Sequence, residues 1–184
     1  MLVDQVVTYL AMTSPDQLRP GRLPPVALDL RRQTRPARAV RAVHDRIARP
    51  HHWSSLSWSE AQWEQYLNYR HLHHWIAWVG DHEAGLISLR FLPRGEVEID
   101  TFGLVPEYVG QGFGGNLLAL AVRLAWDFET SGAGPVRRVW LHTSSLDHPH
   151  ALPNYRSRGF RQFRITSRTR DIPPSLTPCG SPDN

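Results

Sequence analysis

The period of the apolar positions changes along the chain, and each change marks an element. Val6-Val7-Thr8-Tyr9-Leu10 is β-branched and aromatic and predicts a strand. Residues 14–25 hold four prolines and read as an extended connection, followed by a short strand at Val26-Ala27-Leu28-Asp29-Leu30. From Pro36 the spacing turns helical: Ala37, Val40, Val43 and Ile47 share one face until Pro50 ends the run. After a loop from His51 to Ser57, either Ser57 or Ser59 caps a second helix that turns Trp63, Tyr66 and Leu67 inward. The middle reads as a meander, with strands at Trp75 to Val79, Gly85 to Phe91 and Val97 to Leu104. A glycine cluster from Gly110 to Gly115 then opens a helix with a core face of Leu117, Leu118, Ala121, Leu124, Ala125 and Phe128. Gly132-Ala133-Gly134-Pro135 closes it. Val139 to His142 is a buried strand, His148 to Arg158 a short helix stopped by Gly159, and Phe160 to Ile165 a last strand. Antiparallel strands followed by β-α-β-α-β predict a mixed α/β sheet in a single domain over residues 1–170. Residues 171–184 are proline-rich, have no core pattern and read as a flexible tail.

Composition narrows the chemistry. All 21 basic residues are arginine. Without lysine there is no Schiff-base nucleophile and no P-loop. The lone cysteine, Cys179, permits neither an internal disulfide nor a Cys-rich zinc site. No apolar run approaches the roughly 20 residues that span a bilayer. Met1 to Ala11 lacks a basic region and a cleavage site, so the expectation is a soluble cytoplasmic protein with no membrane association. The formal net charge is +4, unevenly placed: residues 55–110 hold eight acids against three arginines, and residues 131–171 hold eight arginines against two aspartates. An acidic middle beside a basic end suits ligands of opposite sign at different places.

Gly110-Gln111-Gly112-Phe113-Gly114-Gly115 is the most informative segment. Glycines ahead of a helix let backbone N–H groups approach a phosphate, and the helix dipole favours its charge. The string also fits G-x-G-x-x-G, so a dinucleotide site is the competing reading. Two features oppose it. Val105 to Val109 separates the preceding strand from the glycines, where a dinucleotide fold has them abut. The next strand, Val139 to Ser145, offers no acid for a ribose.

The run Phe102-Gly103-Leu104-Val105-Pro106-Glu107-Tyr108-Val109-Gly110-Gln111-Gly112-Phe113-Gly114-Gly115-Asn116-Leu117-Leu118 resembles the acetyl-CoA-binding motif of the GNAT acetyltransferase superfamily. Downstream, Ala151-Leu152-Pro153-Asn154-Tyr155-Arg156-Ser157-Arg158-Gly159-Phe160 is similar to that superfamily's second signature. The element order from Val6 to Ile165 matches as well, and the chain also resembles an uncharacterised bacterial branch of the superfamily. The resemblance implies a GNAT-type fold: a central, mostly antiparallel sheet, a β-α-β-α-β acyl-CoA-binding half, and helices on both faces. It implies acetyl-CoA as acyl donor, held by Phe102, Leu104, Val105, Val109, the loop residues Gly110, Gln111, Gly112, Phe113, Gly114 and Gly115, and by Asn116 and Asn154. Leu104 and Val105 would run beside the pantetheine arm like an added strand. Val109 departs from the usual Arg or Gln, at a position that serves mainly through its backbone N–H.

Acetyl transfer to an amine needs a group to take the amine proton, donors for the carbonyl oxygen, and a proton for the leaving thiolate. The resemblance assigns the last to Tyr155 and the oxyanion to the Leu104 N–H. Glu96, Glu98 and Asp100 alternate along one strand and share a face, with Val97, Ile99 and Thr101 opposite. Glu98 falls where histone-type members carry a glutamate base, so it ranks first as catalytic carboxylate and Asp100 second. His142 and Thr143 end the strand before the tyrosine helix and are candidates to line the acceptor site, with Trp53 and Trp58 as its aromatic wall; a satisfied buried histidine and core tryptophans are the competing readings. His71-Leu72-His73-His74 lacks a third well-spaced ligand, so no metal is expected. Arg164, Arg168 and Arg170 share a face with Thr166, opposite Phe163 and Ile165. That face is solvated, or it meets a coenzyme A phosphate, an acidic acceptor or RNA.

The expectation is therefore an N-acetyltransferase acting by direct attack of a primary amine on acetyl-CoA, with a small-molecule or peptide acceptor, as monomer or homodimer. Two rivals keep the fold: an enzyme using another acyl-CoA, a carrier thioester or an aminoacyl-tRNA, whose tRNA the arginine-rich C-terminal third would meet, and a non-catalytic module that binds coenzyme A.

Overall fold

Seven strands pair into one sheet, and the computed structural model describes residues 1–34, 37–127 and 134–172 of the chain. In chain order the elements are β1 (Leu2–Met12), β2 (Asp29–Gln33), α1 (Ala37–Ala48), α2 (Glu60–Leu67), β3 (Leu72–Val79), β4 (His82–Leu92), β5 (Glu96–Leu104), α3 (Phe113–Asp127), β6 (Arg138–Ser144), α4 (Ala151–Ser157) and β7 (Arg161–Asp171). Pro36, Phe128, Gly132, Ala133 and the C-terminal tail with Cys179 lie outside the described residues.

The mixed α/β class and the meander follow the sequence pattern. β2 starts three residues later than the apolar run Val26 to Leu30 suggests, because it pairs as an edge strand with β3, Asp29 opposite Trp78 and Gln33 opposite His74. β7 runs six residues beyond Ile165, through a stretch too arginine-rich to read as a strand. Pairing with β1 sustains it, from Ala11 opposite Arg161 to Leu2 opposite Asp171. Ser59, not Ser57, caps α2 through a reciprocal box: its hydroxyl accepts from the Gln62 N–H, and the Gln62 side chain accepts from the Ser59 N–H at 2.9 Å.

The strand order is β2-β3-β4-β5-β6-β1-β7. Alternate residues of the central strands feed two cores. Trp75, Ala77, Ile87 and Leu89 meet Leu117, Leu118, Ala121 and Ala125 of α3 on one face. Ile76 and Leu86 meet Val40, Val43 and Ile47 of α1, and Trp63 and Leu67 of α2, on the other. The period of two in the strands thus separates the layers. All neighbours pair antiparallel except β5 and β6. That parallel pair holds for Glu96 to Glu98 against Arg138 to Trp140 and then parts. The opening between the two strands positions everything that follows.

Candidate functional site

A cavity of about 420 Å³ occupies this opening. β5 supplies Asp100 to Phe102, β6 supplies Leu141 and His142, and Tyr155 of α4 stands behind the gap. The loop between α1 and α2 closes it over with Trp53 and Trp58, and β1 and β7 extend its floor with Gln5, Tyr9, Arg168 and Arg170.

On β5 the strict alternation expected for Glu96, Glu98 and Asp100 fails after Ile99. Leu89 of β4 faces Ile99 and Ser88 faces Thr101, so Asp100 is an extra residue in a β-bulge. Thr101 therefore does not point away from Asp100. Tyr66 of α2 donates to the Asp100 carboxylate at 2.6 Å and lies 2.9 Å from the Thr101 hydroxyl. Arg90 pairs with Asp100 through one guanidinium nitrogen and stands 3.7 Å from Glu98 through the other. Burial raises the Asp100 carboxyl above its ordinary value, opposed by Arg90 and Tyr66 and reinforced by Glu98. Asp100 is thus saturated with donors, which leaves it little capacity as a base.

Glu98 is buried and is not on the cavity wall. It reaches the cavity through His142, whose Nδ1 is 3.5 Å from its carboxylate. His142 is 45% exposed and lines the cavity, so it is the open member of the pair rather than a buried histidine. The hydrogen bond to Glu98 raises the imidazole above its ordinary value, against burial. Thr143 does not line the cavity. It alternates to the core face and donates to Asp147 at 2.8 Å. Asp147 also accepts from Trp53 Nε1 at 2.9 Å and the Ser144 N–H at 2.7 Å, which locks the aromatic wall to the end of β6. Trp58 meets Trp63 edge-on and lies tilted against Tyr66. His44, also on the wall, is held by the Ser55 hydroxyl at 3.0 Å, and burial lowers its pKa.

Tyr155 is buried, with its ring edge against Phe102. Burial, with Asp147 nearby, pushes the phenol well above its ordinary value, so it keeps its proton at neutral pH. On β5, the Val105 N–H donates to the Ala84 carbonyl at 3.0 Å. Antiparallel ladders alternate, so Leu104, opposite Gly85, turns its own N–H and C=O to the other edge, toward the parting from β6. The backbone edge of Leu104 is therefore turned toward that opening. Val105 is fully buried in the α1–α2 core and its amide is already used.

The glycine loop is exposed ahead of α3. Gly110 and Gly112 have φ of +80° and +86°, and an added Cβ at either would meet nothing within 4 Å. Backbone conformation, not crowding, requires glycine there. The N–H groups from Gly112 to Gly115, ahead of the first i→i−4 bond of α3, have no acceptor within the helix. Phe113 itself packs inward on Tyr108 and has only its amide to offer. The Val109 N–H donates to the Pro106 carbonyl at 3.2 Å, closing a turn. Gln111 spends its side chain on the Glu107 carbonyl at 2.5 Å. Asn154 of α4 donates to the Gly114 carbonyl at 3.3 Å. A Cβ on Gly114 would lie 3.8 Å from Leu104 and 3.9 Å from Asn154, so the end of β5, the start of α3 and α4 converge. A Cβ on Gly115 would collide with the Arg158 guanidinium, which sets a cation beside the loop.

His71, His73 and His74 do not converge; His74 is buried on the Ser88 hydroxyl at 2.8 Å. Among the described residues no three His, Cys, Asp or Glu side chains gather as a metal site. No helix of the described residues is long and apolar enough to cross a membrane.

The parted strand pair thus combines a glycine loop ahead of α3 with titratable groups lining the cavity. The model of the acetyltransferase (GNAT) family matches residues 40–160, and the chain belongs to that family. Solved structures agree in fold. A functionally unknown conserved protein from Staphylococcus epidermidis is similar at TM-score 0.65 and 19% identity, over 90% of this chain and 61% of that one. A GCN5-related N-acetyltransferase from Kribbella flavida matches at TM-score 0.60 and 16% identity, over 91% of this chain and 58% of its own. One from Sphaerobacter thermophilus matches at 0.64 and 16%, over 94% and 53%. The chain thus spans between half and two thirds of the length of these proteins. No curated protein matches the sequence.

Proposed function

We propose that the protein is an N-acetyltransferase that moves an acetyl group from acetyl-CoA to a primary amine, with His142 as the base and Glu98 as its positioning partner. The observation that carries this reading is the meeting of His142, Tyr155 and Phe102 in the cavity where β5 and β6 part, with the backbone edge of Leu104 two residues further along β5. Acetyl-CoA fits the surrounding residues. The amides of Gly110 to Gly115 suit its diphosphate, Asn154 and the edge of Leu104 suit the pantetheine arm, and a thioester supplies the activated acetyl group.

In the transfer, a C–N bond forms and the C–S bond breaks. His142 takes the ammonium proton, held by Glu98 in the tautomer that leaves the nitrogen facing the cavity free. The Leu104 N–H donates to the carbonyl oxygen as charge collects there. Tyr155, fully protonated at working pH, donates its proton to the departing sulfur, and the second proton lost by the nitrogen restores the phenol. Assigning the base to His142 rather than directly to Glu98 follows from burial: Glu98 has no open path to an amine, and His142 has one.

Calorimetry with acetyl-CoA, with NAD as the control, and free-thiol release on an amine panel test the reading. Micromolar acetyl-CoA binding, no NAD binding and amine-dependent thiol release are expected. Acetyl-CoA binding without release on any amine would reduce the protein to a binding module.

A further inference from the structure

The floor of the cavity away from the strand opening carries an arranged cationic end. Thr166, Arg168 and Arg170 project from β7 on the cavity side, as their two-residue spacing requires. Arg168 donates through Nε to the Gln5 side-chain oxygen at 2.8 Å. Gln5 is buried, and its own Nε2 donates to the Ser144 hydroxyl at 2.7 Å, which accepts from the Leu146 N–H at 3.0 Å. This chain of bonds fixes the Arg168 guanidinium by its inner nitrogen and leaves its terminal nitrogens to the cavity. Arg170 donates to the His52 carbonyl at 2.9 Å. Among the described residues neither arginine has a carboxylate within ion-pair distance. Asp147, the nearby acid of the wall, is covered by three donors of its own. Oriented guanidinium groups in a concave, aromatic-walled site are built to receive a planar anion.

We infer that the acceptor is an ω-amino carboxylic acid, its amine at His142 and its carboxylate on Arg168 and Arg170. This rests on the transfer reading above. The spacing follows from register. His142 faces Tyr9, and Gln5, which carries the Arg168 head, lies four residues further along β1. Four residues and one strand step span about 14 Å, and one hydrogen bond of about 3 Å at each end leaves about 8 Å between nitrogen and carboxylate. A five-methylene spacer covers that span, and Tyr9, Trp53 and Trp58 give it an apolar path.

The probes are 6-aminohexanoate and its uncharged-end counterpart hexylamine, titrated by calorimetry into the full chain with coenzyme A present. The acid should bind at least about tenfold more tightly, as expected for charge-assisted hydrogen bonds in a partly enclosed site. Arg168→Gln should abolish that preference while acetyl-CoA affinity, the control for folding, stays unchanged; Arg168→Lys should restore part of it. Equal binding of the two amines, binding of neither, or an undiminished preference in Arg168→Gln overturns the assignment. Thiol release from acetyl-CoA is read in parallel. A carboxylate preference without release would overturn the transfer reading and leave the anion site standing, whereas release with hexylamine and 6-aminohexanoate alike would do the reverse.

Discussion

Replacing Tyr66 by phenylalanine removes one oxygen and keeps the ring against Trp58, Trp63 and His74. The oxygen lost is the one that donates to Asp100 at 2.6 Å, inside a site that burial already makes unfavourable for a carboxylate. A hydrogen bond to a charged group contributes about 1.5–3 kcal/mol, and Asp100 keeps Arg90, so a loss near 2 kcal/mol is expected. With a urea slope of about 2 kcal/mol per M, the midpoint should fall by about 1 M. The loss also carries a pH signature. The Asp100 carboxyl is raised in the folded state, so between its unfolded and folded values the native protein holds the proton more tightly, and stability rises as pH falls through that window. Without the Tyr66 donor the ionised form is still less favoured. The deficit of Tyr66→Phe should therefore shrink on acidification, as a protonated Asp100 no longer needs a donor. Urea titrations of both proteins at neutral and mildly acidic pH provide the check. A midpoint within roughly 0.2 M of wild type at neutral pH, or a deficit that grows on acidification, would refute the argument that Tyr66 holds a buried charge in place.

Tyr155→Phe should lower kcat about 100-fold with acetyl-CoA affinity unchanged in calorimetry, and a kcat within twofold of wild type would remove its role as donor. Glu98→Gln should move the acid limb of the kcat/KM profile to lower pH, because Glu98 is what raises His142; an unmoved limb would mean that His142 is not the base. Gly112→Ala meets no neighbour, so its expected cost of about 1–2 kcal/mol in thermal unfolding is conformational only, and weaker acetyl-CoA binding should accompany it. A stable variant with normal binding would show that the left-handed turn is not needed.

Features encoded within a few residues were legible before the structure. The glycine loop, the α3 core face, Tyr155 and the tryptophan wall all follow from local spacing or from a motif. Features that depend on partners were not. The bulge at Asp100 arises from how β5 registers with β4, and the alternation of Glu96, Glu98 and Asp100 gave no sign of it. Val105 and Val109 looked free to meet a ligand until their amides found Ala84 and Pro106. Tyr66 read as an apolar core residue because nothing near it in sequence announces Asp100. Phe163 was expected opposite Arg164. A register shift at Tyr9 in the β1–β7 ladder brings its ring 6.1 Å from that of Tyr9, with the Arg138 guanidinium over it.

β1 lies between β6 and β7, antiparallel to both, and its Gln5 and Tyr9 form part of the cavity floor. Its partners β6 and β7 lie more than about 100 residues later in the sequence, so β1 must wait unpaired until they are made. Such distant pairing slows folding and leaves an unsatisfied edge exposed in the meantime. Nascent chains arrested before residue 161 should therefore hold the β3–β4–β5 meander but lack the acceptor half of the cleft. Binding at the cavity floor would then appear only once β7 has been made and paired.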